Sequence, residues 1–365
     1  MKIKAMKWVL LALLPLAAQQ AYATGTLAGT SVDNTASVSY SVGAVAQPVV
    51  NSNTSSFVVD RRVNLSVQES GTADTVVSPG TTAQVLTFTV TNSSNSAMDF
   101  SLVASNDSNA AAHGGTDNFD ASNVKVFVDV DNNGSYDSAI DTQTFLDEIA
   151  PDTTRTVFIV ADIPLGRANG DLAAYALTAI AADAGTAGTL GSTSTATAGA
   201  DTANSVDTVL ADGAGDGSAV DVANDGRASD DDAYLVSAPV ISVNKTSRVI
   251  SDLINGTTNP KRIPGSVVEY CIEVTNAAGG AAASNVVVTD SIAGQPVSFN
   301  TGSIVTGSTA CTVSDGAAED DDAAGADETD PNGGSFNTGT SVATGSFPNV
   351  SAGATARMQF RVTIN

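Results

Sequence analysis

Histidine occurs once in this chain, at His113 in a segment rich in Gly, Ala and Asn. That excludes a His-rich metal site and gives no support to a Ser-His-Asp triad. No G-x-S-x-G elbow, Walker loop or dinucleotide fingerprint occurs either. The one tryptophan, Trp8, falls in the N-terminal leader. A glycosidase-type carboxylate pair would therefore lack the aromatic cleft that holds a sugar. The expectation is a protein that is not an enzyme.

Basic residues are scarce. Setting aside Lys2, Lys4 and Lys7 of the leader, 12 Lys and Arg face 39 Asp and Glu, a net charge of −27. Such a chain repels phosphate backbones and anionic bilayers, which excludes nucleic acid as a partner. Long apolar runs are also missing: after the leader no stretch reaches the ~18 residues of a membrane-spanning helix. Membrane insertion is not expected.

The leader is a signal peptide over 1–23. The three lysines form its positive end, Trp8 to Ala18 its apolar run and Ala21-Tyr22-Ala23 its cleavage site. The mature chain is expected to start at Thr24 and to be secreted, either released or held at the cell surface by other proteins. Cys271 and Cys311 are the only cysteines. In an exported protein they read as one disulfide closing a loop of about 40 residues, the alternative being two free thiols.

Short segments of alternating apolar and polar residues dominate the rest. In AQVLTFTVTN (83–92), Leu86, Phe88 and Val90 share one face and Thr87 and Thr89 the other; 123–129, 156–163 and 267–275 obey the same rule. Many short strands between Gly, Pro, Asn and Asp turns indicate antiparallel sandwiches. The strands also repeat. Pro79-Gly80 with VLTFTVTN (85–92) matches Pro264-Gly265 with EYCIEVTN (269–276). RTVFIVADIP (155–164) matches ARMQFRVTIN (356–365), and SFVVDRRVNLSV (56–67) matches AYLVSAPVISV (233–243). The fold expected is all-β: two immunoglobulin-like antiparallel β-sandwich modules in tandem, behind an N-terminal strand segment. Module one spans 60–183 and module two 236–365; 24–59 is the N-terminal segment and 184–235 an acidic Gly/Ala/Asp-rich insertion.

Module two resembles the conserved repeat domain of unknown function that occurs in tandem in bacterial and archaeal cell-surface proteins. The stretches that carry the resemblance are Lys245-Thr246, PGSVVEYCIEVTN (264–276), ASNVVVTDSI (283–292) and VSAGATARMQFRVTIN (350–365). It implies an immunoglobulin-like sandwich and a surface or matrix role, and it carries over no catalytic residue. It also implies a further strand, of the type A-G-T-x-V-x-N-T-A-S-V-x-Y, after FRVTIN. Module two stops at Asn365 without one, yet residues 28–40 at the other end of the chain read AGTSVDNTASVSY. The expectation is that 24–42 is a donor strand, with Val32, Ala36, Val38 and Tyr40 on its apolar face. It would complete module two of the same molecule or of the next one in a head-to-tail homopolymer. The plainer alternative is a hairpin that 24–59 adds to module one.

One acidic loop has calcium spacing. Asp129, Asp131 and Asn133 stand at positions 1, 3 and 5, Gly134 at the sharp turn and Asp137 at position 9. Position 12 is Ile140, so Asp141 or Asp147 has to replace the usual glutamate. The runs 201–232 and 315–330 are acidic without ordered spacing and read as solvated loops. Function is accordingly expected to be structural: a calcium-stabilised filament subunit of the surface or matrix. A monomeric secreted adhesin, meeting other surface proteins or glycans, is the alternative.

Overall fold

The computed structural model describes residues 25–107, 113–202, 204–214, 221–321, 330 and 332–365. The signal peptide, and Asp216, Asp322, Asp327 and Glu328 of the acidic runs, lie outside the described residues. Every regular element among them is a β-strand. The N-terminal segment holds β1 (Ser31–Val38), β2 (Ser41–Val42), β3 (Val45–Ala46) and β4 (Val50–Val58). Module one begins with β5 (Arg61–Val63), β6 (Leu65–Glu69), β7 (Thr75–Val77), β8 (Gln84–Asn92) and β9 (Met98–Asn106). It continues with β10 (Ser122–Val128), β11 (Phe145–Ile149), β12 (Thr153–Asp162), β13 (Leu172–Asp183), β14 (Thr208–Leu210) and β15 (Arg227–Val236). Module two holds β16 (Ile241–Ser251), β17 (Val267–Asn276), β18 (Ala283–Ser291), β19 (Val297–Phe299) and β20 (Val305–Thr306). After these come β21 (Ala317–Ala318), β22 (Ser335–Asn337), β23 (Val342–Val350) and β24 (Thr355–Ile364).

Module one is a sandwich of a β10-β12-β8-β6 sheet and a β11-β9-β13-β15-β7 sheet. The alternation in β8 buries Leu86, Phe88 and Val90 against Phe100, Tyr175 and Leu177 of the facing sheet. Each such side chain contributes about 1.5–3 kcal/mol on full burial. Tyr234 of β15 crosses the core, and its hydroxyl donates to the carbonyls of Ile159 (3.0 Å) and Gln84 (3.1 Å). That strand corrects the expected boundary. The segment 184–235 is not an insertion between modules, because β15 pairs along β13 and then, in parallel, with β7. Module one therefore runs to Val236. Asp230, Asp231 and Asp232 interrupt the alternation of β15, which is why it does not read as a strand.

Module two has a β16-β17-β24-β20-β21 sheet, with β19 also on β24, facing a β18-β23-β22 sheet. Ile272, Val288, Phe347, Met358 and Phe360 fill the space between them. Cys271 in β17 is bonded to Cys311, Cα atoms 5.5 Å apart. The bridge pins the loop after β20 to the central sheet. The buried Asn92 and Asn276 mark the same point in the two modules, donating to the carbonyls of Ile149 (2.7 Å) and Val350 (3.0 Å).

The closed loop of 40 residues sets the size of the disulfide's effect. Reduction, or Cys271→Ser with Cys311→Ser, is expected to destabilise module two by roughly 3–4 kcal/mol on the chain-entropy model. Calorimetry should show its transition moving down and that of module one standing still.

Candidate functional site

Two surfaces stand out, one at each end of the chain. At the N-terminus β1 and β4 pair as an antiparallel hairpin, Val32 opposite Phe57 and Val38 opposite Val50. The extra residue of a bulge lies in β4, so β1 alternates regularly and Val32, Ala36, Val38 and Tyr40 share a face. All four are exposed, as are Val50 and Phe57. A two-stranded ribbon with a bare apolar face is marginal in water and prone to pair with another chain. The second strand of this ribbon, Val50–Val58, lies beyond the 24–42 expected as the donor strand.

In module two the complementary feature is an apolar groove of about 390 Å³, lined by Ile241 and Val243 of β16, Ile272 and Val274 of β17, and Val286 and Val288 of β18. Its cause emerges when the modules are compared. In module one the sheet continues from β9 into β13 and β15, which lie over β6. Leu65 and Val67 of β6 are 4% and 7% exposed. In module two β18 pairs only with β23, and its other edge is free among the described residues. The matching residues of β16, Ile241 and Val243, are 42% and 65% exposed. Among the described residues of module two, nothing takes the places that β13 and β15 fill in module one, two strands where the sequence pattern suggests one.

The Asp129 loop is a crossover from β10 in one sheet to β11 in the other, and not the hairpin loop its sequence suggests. Tyr136 fastens it by stacking on Phe127 (centroids 5.3 Å apart). Carboxylate oxygens of Asp129, Asp131 and Asp141 lie within 4.8 Å of one another. The backbone amides of Asn133 (3.1 Å) and Gly134 (2.9 Å) donate to Asp129, those of Val130 (2.9 Å) and Asp137 (2.8 Å) to Asp141. Hard oxygens gathered at this spacing suit a calcium ion. The other candidates also accept nearby amides, Asn133 from Ser135, Asp137 from Ala139 and Asp147 from Gly188, and Asn133 Nδ2 donates to Asp131 at 2.9 Å.

Sequence reasoning missed a second acidic cluster, because it depends on three distant segments. His113 Nε2 donates to Glu69 at 3.1 Å, with Asp232 beside them. Burial pushes the Asp232 carboxyl up to about 7, and the hydrogen bond to Glu69 pushes His113 up. The other acidic runs are not simply solvated either. Asp212 accepts the amides of Asp225 and Gly226, Asp321 those of Gly302, Ser303 and Ile304, and Glu319 those of Asn332 and Gly334.

No protein-family model matches this chain, and no curated protein matches it. Among solved structures, a chain named BspA_C_mut is similar at 10% identity and a TM-score of 0.29, covering 83% of this chain and 90% of its own. A Corynebacterium diphtheriae protein described as membrane anchored is similar at 13% identity and a TM-score of 0.19, covering 92% and 88%. Superpositions this loose assign neither a family nor a function.

Asp232 sets a pH dependence. Between the ordinary value of 3.8 and about 7, folded module one holds a proton that the unfolded chain has lost. Its stability therefore rises as pH falls from about 7 toward 4, and His113, raised as well, acts in the same direction. The melting temperature of module one is expected to climb by several degrees between pH 8 and pH 5.5. Asp232→Asn should flatten that slope in calorimetric scans.

Proposed function

We propose that this chain is an exported structural protein of the bacterial surface or extracellular matrix, whose subunits polymerise head to tail by donating β1 to module two of a neighbour. The observation that carries the reading is the matched pair of unfinished surfaces: a bare apolar ribbon at one end and an open sandwich at the other. Val32, Val38, Tyr40, Ile241 and Val243 are 36–65% exposed, so burying the remainder contributes roughly 1 kcal/mol each, and pairing β1 with the free edge of β18 satisfies its backbone groups.

Donation between molecules is supported over closure within one. The hairpin base is held at the β8–β9 end of module one, where the Ala28 amide donates to Asn95 (3.0 Å) and Asn95 Nδ2 to Thr26 (3.1 Å). Module two joins the opposite end, where Asn169 donates to Gly279 (3.3 Å) and Ala281 to Ala238 (3.2 Å). Each module is roughly 30 Å along its nine-residue strands. A hairpin of that same length cannot fold back past module one to reach the groove. Calcium at Asp129, Asp131 and Asp141 would bind the crossover to β12 and β10 and stiffen module one. The acidic surface, which no phosphate-rich partner fits, keeps subunits apart until the strand docks.

Residues 24–365, viewed by negative-stain electron microscopy, are expected to form regular fibres, and deletion of 24–42 should leave single particles. Discrete two-lobed particles of the intact chain at every calcium level would overturn the polymer and leave a monomeric adhesin. Calcium should raise the melting temperature of module one by several degrees, about 2.7 kcal/mol at a hundredfold excess over Kd. Asp131→Ala, at an exposed position, should abolish that gain without unfolding the module.

A further inference from the structure

Resting on strand donation, we infer that the donated element is the whole β1–β4 hairpin, whose two strands take the places of β13 and β15 in the neighbour's module two.

The gap is two strands wide. In module one, β13 pairs with the edge of β9 and β15 lies next to it over β6. One strand beside β18 would extend that sheet but leave the inner face of β16 uncovered. Ile241 and Val243 need the second strand, as Leu65 and Val67 have it in β15.

Up to the bulge in β4, the hairpin also reproduces the β13–β15 ladder. At the base of β13–β15 the Gly170 amide donates to Val236 (2.9 Å) and the Val236 amide to Asp171 (2.8 Å). At the base of β1–β4 the Gly29 amide donates to Val59 (2.9 Å) and the Val59 amide to Thr30 (2.9 Å). Gly170 and Gly29 both take left-handed conformations, φ 87° and 82°. The next pairs correspond as well: Ala173 with Tyr234, and Val32 with Phe57. Tyr234 is fully buried in its sandwich, whereas Phe57, in the equivalent place, is 55% exposed.

The chain leaves the two ribbons in the same way. From β15 it passes through 237–240 into β16, where the Ala277 amide donates to Val240 (2.9 Å). From β4 it passes into β6, where the Ser93 amide donates to Asn64 (2.9 Å). β1–β4 therefore stands to module one as β13–β15 stands to module two. It is the closing strand pair of a preceding module, and along a head-to-tail fibre that module is module two of the neighbour.

The correspondence sets the register. Phe100 of β9 pairs with Leu146 as Val286 of β18 pairs with Phe347, three residues before the carbonyls that Asn92 and Asn276 hold. Leu177, Ala179 and Ala181 of β13 lie opposite Ala104, Leu102 and Phe100. Carried over, Ala36 falls opposite Asp290, Val38 opposite Val288 and Tyr40 opposite Val286, with Ser37 and Thr289 side by side on the outer face. Phe57 then enters the core as Tyr234 does.

Two variants of the 24–365 chain separate this inference from the reading beneath it. Ser37→Cys with Thr289→Cys reports β1 on β18: oxidation is expected to give a reducible ladder of covalent multimers. Phe57→Asp reports the second strand; Phe57 is solvent exposed in the monomer, so both modules should melt as in the parent. Assembly, followed by light scattering and electron microscopy, is expected to fall at least tenfold. A ladder together with normal fibre formation by Phe57→Asp would overturn donation of both strands and leave donation of β1 alone. Fibres without a ladder would overturn the register. Absence of both fibres and ladder in the Cys variant and the parent would overturn strand donation itself.

Discussion

A β-sandwich closes only when the inner face of every edge strand meets a strand of the opposite sheet, because exposed apolar side chains and unpaired edge amides both cost free energy. In module one β13 and β15 meet that condition for β9 and β6. In module two nothing among the described residues meets it for β18 and β16, and the groove between them is the result. The free ribbon at the N-terminus has the reverse problem, two paired strands with no sheet to lie against. The exposed ribbon and the open groove are complementary, and the proposed assembly is the simplest arrangement that covers both.

The same need for partners explains how so acidic a chain holds together. Its few cations are concentrated where charge is buried: in module two Arg248 (2.6 Å) and Arg361 (2.9 Å) both meet Glu269, and Arg357 meets Glu273 (2.7 Å). Elsewhere the partner of a carboxylate is backbone. Asp129, Asp141, Asp212, Asp321 and Glu319 each collect amide protons from a turn, and a charge-assisted bond of this kind is stronger than one between neutral groups. The loops of this sandwich are thus shaped by acidic side chains folded inward, with the remaining carboxylates outside for solubility. The Asp129 loop differs in bringing three carboxylates together, which is the arrangement that gains from a cation.

Much of the fold is legible in the sequence. Period-2 alternation identifies β8, β10, β12 and β17, since in each the apolar side chains recur on the face that lines a core, although the other face of β12 and β17 is largely covered as well. Repetition of PG…VTN and of the strand closing each module reveals the duplication, and with two cysteines in the chain only one disulfide can form, which is the one found. Alternation fails at β15, where three successive aspartates occupy both faces, and at β4, where a bulge shifts the phase and the inner face between Phe57 and Val50 is polar, Ser55 included. Each strand is recognisable only beside its partner, β13 or β1. The ligand spacing of the Asp129 loop is visible, but which carboxylates converge is not: the path of the loop backbone is what brings Asp141 up to Asp129 and Asp131.

By itself the sequence determined the all-β character, the two modules, the bonded cysteines and the displaced AGTSVDNTASVSY segment, because alternation, repetition and composition are local or periodic properties. Only the tertiary structure decided that β16 and β18 are left uncovered among the described residues of module two, and that residues 31–38 are one half of a ribbon. Those facts concern which edges remain unpaired once everything else has paired, and an unpaired edge is a property of the folded sheet, with no signature in the strand that bears it.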